Sequence, residues 1–214
     1  MTKLIYIADP MCSWCYGFGP ELTTLRNGIP ELHFEVILGG LRAYNKELMD
    51  EALKTTLLSH WEKVEEATGL PFSKEALSHK DFIYDTEPAC RAVVSARMLA
   101  PEIALDVFHA IQHAFYADAL DVTKGDVLAK ISVAVLNKAG ININEQDFLL
   151  TWSSEEAITT TNNDFQQTQR WGVTGFPTLV FERAGELYLV SSGFARTEVL
   201  VERLQALVDQ TSDS

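Results

Sequence analysis

Cys12-Ser13-Trp14-Cys15 constrains this chain more than any other stretch. Two cysteines three positions apart are the smallest unit in which one chain can trade a dithiol for a disulfide. Their setting is as informative as their spacing. Leu4-Ile5-Tyr6-Ile7-Ala8 is apolar, uncharged and rich in β-formers, so it reads as a short buried strand, broken by Asp9-Pro10. Beyond the cysteines the chain runs towards a helix through Pro20-Glu21-Leu22-Thr23-Thr24-Leu25-Arg26. A CxxC between strand and helix lies near the helix N-terminus, where unsatisfied N–H groups and the macrodipole favour a negative sulfur. The expected consequence is a reactive thiolate at Cys12 at neutral pH. The alternative, a pair of inert core cysteines, fits neither the position nor the spacing.

A second strand pattern follows at Leu32-His33-Phe34-Glu35-Val36-Ile37-Leu38, stopped by Gly39-Gly40. From about Leu41 to Trp171 the texture is helical. Glu47 to Thr68 is one candidate helix, ended by Gly69 and Pro71, and Ser73 caps a short segment from Lys74 to Ser78. Thr86-Glu87-Pro88 reads as an N-cap with an early proline, opening a helix to about Leu99. Pro101 to Asp118 is next, then Thr123 to Ala139, capped by Thr123 and closed by Gly140. Asn144 and Ser153 cap two more, the second running to about Arg170. The strand signal returns only at Pro177-Thr178-Leu179-Val180-Phe181-Glu182, with a turn at Gly185 and a hairpin partner at Leu187-Tyr188-Leu189-Val190. Gly193 marks the approach to a last amphipathic helix, Arg196 to Gln210, and Gln210-Thr211-Ser212-Asp213-Ser214 reads as a frayed tail. Without the helical block the order is βαβ followed by ββα. That predicts an α/β fold in which 1–40 and 172–214 form one sheet domain and 41–171 an inserted helical domain.

The chain has 214 residues, 47% of them apolar, enough for a sizeable core. No apolar run approaches the roughly 18 residues of a membrane helix. The N-terminal apolar stretch is too short for a signal peptide and ends at Asp9, so a cytoplasmic protein is expected, provided no leader precedes it. Three cysteines do not make a disulfide scaffold, and in a reducing compartment a CxxC is catalytic or metal-binding. The net charge of −13 argues against a nucleic-acid partner, since phosphate would be repelled and no Lys/Arg cluster offsets it. No Gly-x-Ser-x-Gly elbow supports a serine hydrolase, and Gly39-Gly40 is no phosphate loop.

This order, with CxxC at the start of the first helix, resembles the thioredoxin superfamily, and the large helical insertion resembles its DsbA-like branch. Asp9-Pro10-Met11-Cys12-Ser13-Trp14-Cys15-Tyr16-Gly17-Phe18, Thr86-Glu87-Pro88-Ala89-Cys90-Arg91-Ala92-Val93 and Val173-Thr174-Gly175-Phe176-Pro177-Thr178 are similar to the FrnE-like members of that branch. The resemblance implies a thioredoxin fold with a large inserted all-helical domain. It also implies that Pro177, which alone would read as the start of an edge strand, follows a cis peptide bond and faces the CxxC. The Phe176 backbone would then pair with an extended substrate chain. Trp14 reads equally as a rim residue that packs against a substrate or as a half-buried aromatic supporting the helix start, while Tyr16 and Phe18 read as core. Two departures stand out. Ser-Trp occupies the place of Gly-Pro or Pro-His between the cysteines, a pair that tunes redox potential. Tyr6 stands where relatives bury an acid; Asp9 lies closer to Cys12 but follows the strand, either a substitute acid or a turn residue only.

The expected function is thiol–disulfide exchange with protein or small-molecule thiols. Cys12 is the nucleophile that forms a mixed disulfide, and Cys15 is the resolving thiol. Trp14, Phe176 and Pro177 are the candidate substrate-binding residues. No cofactor or metal is expected, though glutathione is a candidate co-substrate; no nucleic acid and no membrane is expected as partner. The alternative is a glutathione-dependent isomerase or transferase of the kappa or hydroxychromene carboxylate isomerase type, whose reactive position normally carries serine without the second cysteine. A redox-linked chaperone and a zinc module are further readings. The latter would join the CxxC with His109 and His113, four apart on one helix. A solvated polar face shared with Glu102 and Asp106 accounts for these histidines more simply. His33, His60 and His79 show no pattern. Cys90, early on a capped helix, could guard or resolve the site, but a small buried hydrophobe is the commoner fate of a lone cysteine.

Overall fold

Strand β1 (Thr2–Ala8) is the middle of the molecule, and Leu4 to Ala8 are at most 1% exposed. Burial on both faces explains the absence of polar alternation in its sequence. The computed structural model describes residues 2–210, with Gln210 as backbone only, so the tail expected beyond it lies outside the described residues. β1 pairs in parallel with β2 (His33–Leu38) and antiparallel with β3 (Thr178–Arg183), which pairs antiparallel with β4 (Glu186–Ser192). The sheet order is therefore β2-β1-β3-β4. Ala184 and Gly185, at φ +54° and +86°, form the tight turn between β3 and β4, a conformation that suits the twist of a hairpin.

Helix α1 (Ser13–Gly28) connects β1 to β2, and α8 (Thr197–Gln210) closes the chain. Between β2 and β3 lie α2 (Glu51–Thr68), α3 (Glu87–Leu99), α4 (Ala104–Tyr116), α5 (Gly125–Lys138), α6 (Glu145–Trp152) and α7 (Glu155–Arg170). This is the thioredoxin fold with a helical insertion.

Several boundaries differ from the sequence expectation, some of them because a polar group found another partner. Helix α2 starts at Glu51 rather than Glu47. Leu48 bridges Ile83, and the Met49 N–H donates to the Phe82 carbonyl at 2.8 Å, which holds 48–49 extended. Asp50 is the cap, accepting from the Leu53 N–H at 2.7 Å. Ser73 precedes a 3-10 turn, Lys74–Leu77, without a side-chain cap bond. Pro101–Ile103 is likewise a 3-10 turn ahead of α4. The Thr123 hydroxyl donates to Asp121 instead of capping α5, which begins two residues later at Gly125. Asn144 caps α6, accepting from the Asp147 N–H at 2.9 Å, while Ser154 rather than Ser153 caps α7 through the Ala157 N–H. Thr86 occupies the N-cap position of α3 as expected but makes no side-chain cap bond; its hydroxyl accepts the Arg42 N–H at 3.2 Å.

The core runs without interruption from the sheet into the helices. Tyr6 meets Phe18 of α1 and Phe108 of α4, with ring centroids 5.8 and 5.7 Å away. On the opposite sheet face Ile5, Ile7, Ile37 and Val180 form a smaller cluster covered by Trp171, Val173 and Phe176. A buried ion pair ties β2, α3 and α7 together. Arg97 grips Asp164 through two bonds of 2.8 and 2.9 Å, and Asp164 also accepts the Leu38 N–H at 2.9 Å. Burial still pushes the Asp164 carboxyl above its usual pKa, against the opposing pull of Arg97 and the Leu38 N–H.

Candidate active site

The turn after β1 sets the position of both cysteines. Pro10 ends the strand, and the Cys12 N–H donates back to the Asp9 carbonyl at 3.1 Å. Cys12 then occupies the N-cap of α1 with extended backbone angles (φ −94°, ψ 118°), and its carbonyl accepts the Tyr16 N–H at 3.0 Å. Its sulfur therefore lies at the end of the helix where free N–H groups stabilise negative charge. Cys12 retains 8% exposure, whereas Cys15, inside the first turn, has none. Burial pushes the Cys15 thiol well above its usual pKa, and the neighbouring Cys12 adds to this.

The last part of the site comes from far along the chain. The Phe176–Pro177 peptide is cis, and the Phe176 carbonyl lies 3.7 Å from the Cys12 sulfur. Pro177 is held in turn by the Gly193 N–H, which donates to its carbonyl at 2.7 Å; Gly193, at φ +90°, serves this contact as well as the approach to α8. The Phe176 ring rests on Gly39, so close that a Cβ there would lie 2.0 Å from its tip. Trp14 is half-buried, its ring 5.6 Å from that of Phe194, which is itself covered by the Arg196 guanidinium. The structure thus brings Cys12, Cys15, Phe176 and Pro177 together, with Trp14 on the flank towards α8.

Asp9 is not a simple turn residue: it is fully buried beneath the CxxC turn. Its carboxylate accepts the Met11 N–H at 2.8 Å, the Leu41 N–H at 2.7 Å and the Cys90 thiol at 3.5 Å, with Thr86 as a further partner. Burial nevertheless raises its pKa, because the four bonds do not match the loss of water. The Asp9 charge is felt by both Cys15 and Cys90. Tyr6 donates to the Cys15 carbonyl at 3.4 Å, and the Tyr84 hydroxyl donates to the Met11 carbonyl. Burial raises both phenols, which keeps them as protonated donors. The sequence signal for Asp9 was its place between an apolar strand and the CxxC; its burial is made by residues 32 to 81 positions away.

Cys90 is buried, and burial together with Asp9 pushes its thiol well up. His109 is not on a solvated face. Its ring packs against Gly19 of α1, its Nε2 is buried without a partner, and burial lowers its pKa to about 4. His113 is exposed, 3.8 Å from Asp118. Among the described residues no group of three or more His, Cys, Asp or Glu side chains is arranged to hold a metal, and no helix is long and apolar enough to cross a membrane.

The family model described as thioredoxin matches residues 5–201. The solved structure of a "putative protein disulfide isomerase" from Nitrosomonas europaea shares 37% identity, superimposes with a TM-score of 0.88 and covers 98% of each chain. The cytosolic disulfide reductase DsbM from Pseudomonas aeruginosa shares 23% identity, with a TM-score of 0.78 over 99% of this chain and 100% of that one. A 2-hydroxychromene-2-carboxylate isomerase shares 16% identity, with a TM-score of 0.67 over 98% of both chains. At such identities the latter two show a common fold. Comparison with curated protein sequences finds no match.

Proposed function

The chain belongs to the thioredoxin family, as a DsbA-like member, and from that premise we propose that it is a thiol–disulfide oxidoreductase working through Cys12 and Cys15. The observation that carries this reading is the pairing of an N-cap sulfur, 3.7 Å from the Phe176 carbonyl, with a second thiol buried one turn behind it. In the reducing direction the Cys12 thiolate attacks one sulfur of a substrate disulfide. A Cys12–substrate disulfide forms and the other substrate sulfur leaves as a thiolate. Cys15, losing its proton, attacks the Cys12 sulfur, forms the Cys12–Cys15 disulfide and expels the second thiolate. Two electrons pass from the protein dithiol to the substrate, and the reverse sequence oxidises a substrate dithiol. Asp9 is the buried acid whose raised pKa suits it to take the Cys15 proton.

In this reading Phe176 and Pro177 offer backbone to an extended thiol-bearing peptide, and Trp14 packs against it from the α8 side. Segments 1–40 and 172–214 carry the chemistry, and 41–171 shapes the approach. Protein or peptide thiols and glutathione in a cytoplasmic setting are the proposed partners. Retention of both cysteines weighs against the glutathione-dependent isomerase reading, although the fold is shared with such an enzyme.

The test is the redox equilibrium of Cys12–Cys15 against glutathione, followed by tryptophan fluorescence. A potential near about −270 mV marks a reductant, and one near about −120 mV an oxidant or isomerase. Cys12→Ser should abolish exchange. The absence of any reversible disulfide, or exchange retained in Cys12→Ser, would overturn the assignment.

A further inference from the structure

The chain carries 30 acidic against 17 basic residues, so a half-buried guanidinium without a carboxylate beside the candidate site is a local cation in an acidic molecule. Arg91, Arg97 and Arg196 each pair with an acid, Arg170 and Arg203 donate to Gln166 and to the Val190 carbonyl, and Arg26 lies over the Phe34 ring at the far end of α1. Arg42 differs. Among the described residues its guanidinium makes no ion pair and no hydrogen bond; it stands half-buried over the ring of Tyr84, 6.0 Å from the centroid. The acids around it are engaged elsewhere. Asp9 is buried under its own four donors, Asp85 accepts the Tyr44 and Glu87 N–H groups, and Glu87 pairs with Arg91.

The loop carrying Arg42 is fastened to the active site at three successive places. Gly39 carries the Phe176 ring, the Leu41 N–H binds Asp9, and the Arg42 N–H binds Thr86, itself a partner of Asp9. Tyr84, the ring under the guanidinium, donates its hydroxyl to the Met11 carbonyl, one residue before Cys12. A tripeptide spans about 10 Å when extended, so a small peptide held at Cys12 meets the loops that border it. Leu41 and Tyr44, on either side of Arg42 in this loop, are 45% and 49% exposed.

We infer that Arg42 is a specificity residue that binds a carboxylate of the substrate, so that the preferred substrates are small peptide-like thiols or disulfides with a carboxylate within a residue or two of the sulfur. A planar fork of donors suits a carboxylate, and a local cation offsets the repulsion an anion meets from the acidic chain. The inference rests on the exchange reading of Cys12.

The experiment is single-turnover oxidation of the reduced protein by oxidised glutathione and by its fully esterified form, followed by tryptophan fluorescence. The reading is the ratio of the two rate constants, acid over ester, in which general effects of a substitution cancel. Arg42→Gln should lower this ratio about fivefold, the scale of one partly exposed charge-assisted contact, and Arg42→Lys should retain most of it. The difference between wild type and Arg42→Gln should shrink in high salt. An unchanged ratio in Arg42→Gln overturns the role of Arg42 while leaving the exchange reading intact. No oxidation of the wild type by either disulfide overturns the exchange reading itself.

Discussion

Gly39→Ala is a small change with a large expected effect. The added methyl would lie 2.0 Å from the Phe176 Cζ and 2.2 Å from its Cε1. Carbon atoms in ordinary contact sit about 3.5 Å apart, so ring and methyl must separate by roughly 1.5 Å. The ring is rigid, and the bond from the Gly193 N–H to the Pro177 carbonyl restricts how its backbone can yield. The displacement therefore reaches the Phe176 carbonyl, now 3.7 Å from the Cys12 sulfur. Overpacking of this kind costs about 1–3 kcal/mol of stability. A misplacement of about 1 Å at a reacting centre slows chemistry by up to about 10²-fold. The assay is urea unfolding beside single-turnover oxidation by a small disulfide. The double variant Gly39→Ala/Phe176→Ala supplies the control: with the ring gone there is nothing to strike, so its stability should exceed the additive expectation by about 1 kcal/mol or more. An unchanged unfolding midpoint with a rate within about twofold of wild type would refute the packing argument.

Two further predictions concern buried charge. Asp164→Ala leaves the Arg97 guanidinium and the Leu38 N–H without their acceptor, and should cost about 3–5 kcal/mol in urea unfolding; a loss below about 1 kcal/mol would show the pair to be dispensable. His109 has a folded pKa of about 4 against about 6.5 unfolded. The unfolded chain therefore binds the extra proton. The stabilisation from keeping His109 neutral is complete above about pH 6.5 and disappears as pH falls towards 4, a change of about 2–3 kcal/mol. His109→Gln should flatten stability across that window, and an unchanged pH profile would contradict the buried placement.

The parts of this molecule that the sequence made legible are those decided by near neighbours. The strand–CxxC–helix order depends on a run of apolar residues, a proline and a helix start within 28 positions, and it appears as expected. Asn144 caps α6 because its acceptor and the Asp147 N–H are three residues apart. Thr86 and Thr123 carry equally good local cap signals, but one hydroxyl is claimed by Arg42, 44 positions away, and the other by Asp121. The sequence misplaces His109 because a helical wheel contains only its own helix, whereas the wall that covers its Nε2 belongs to α1. The burial of Asp9 is illegible for the same reason: apart from the Met11 N–H, its donors come from the loop after β2 and from the start of α3.

The position of β1 has a consequence for how the chain must be made. One edge of β1 is covered by β2, which begins 25 residues after β1 ends, but the other waits for β3, which begins at Thr178. A nascent or truncated chain lacking the last 37 residues would present Leu4–Ala8 as an open, uncharged, apolar strand edge, the template on which chains stick to one another. The same missing segment supplies β4 and α8, so the yield of C-terminal truncations should collapse into aggregates.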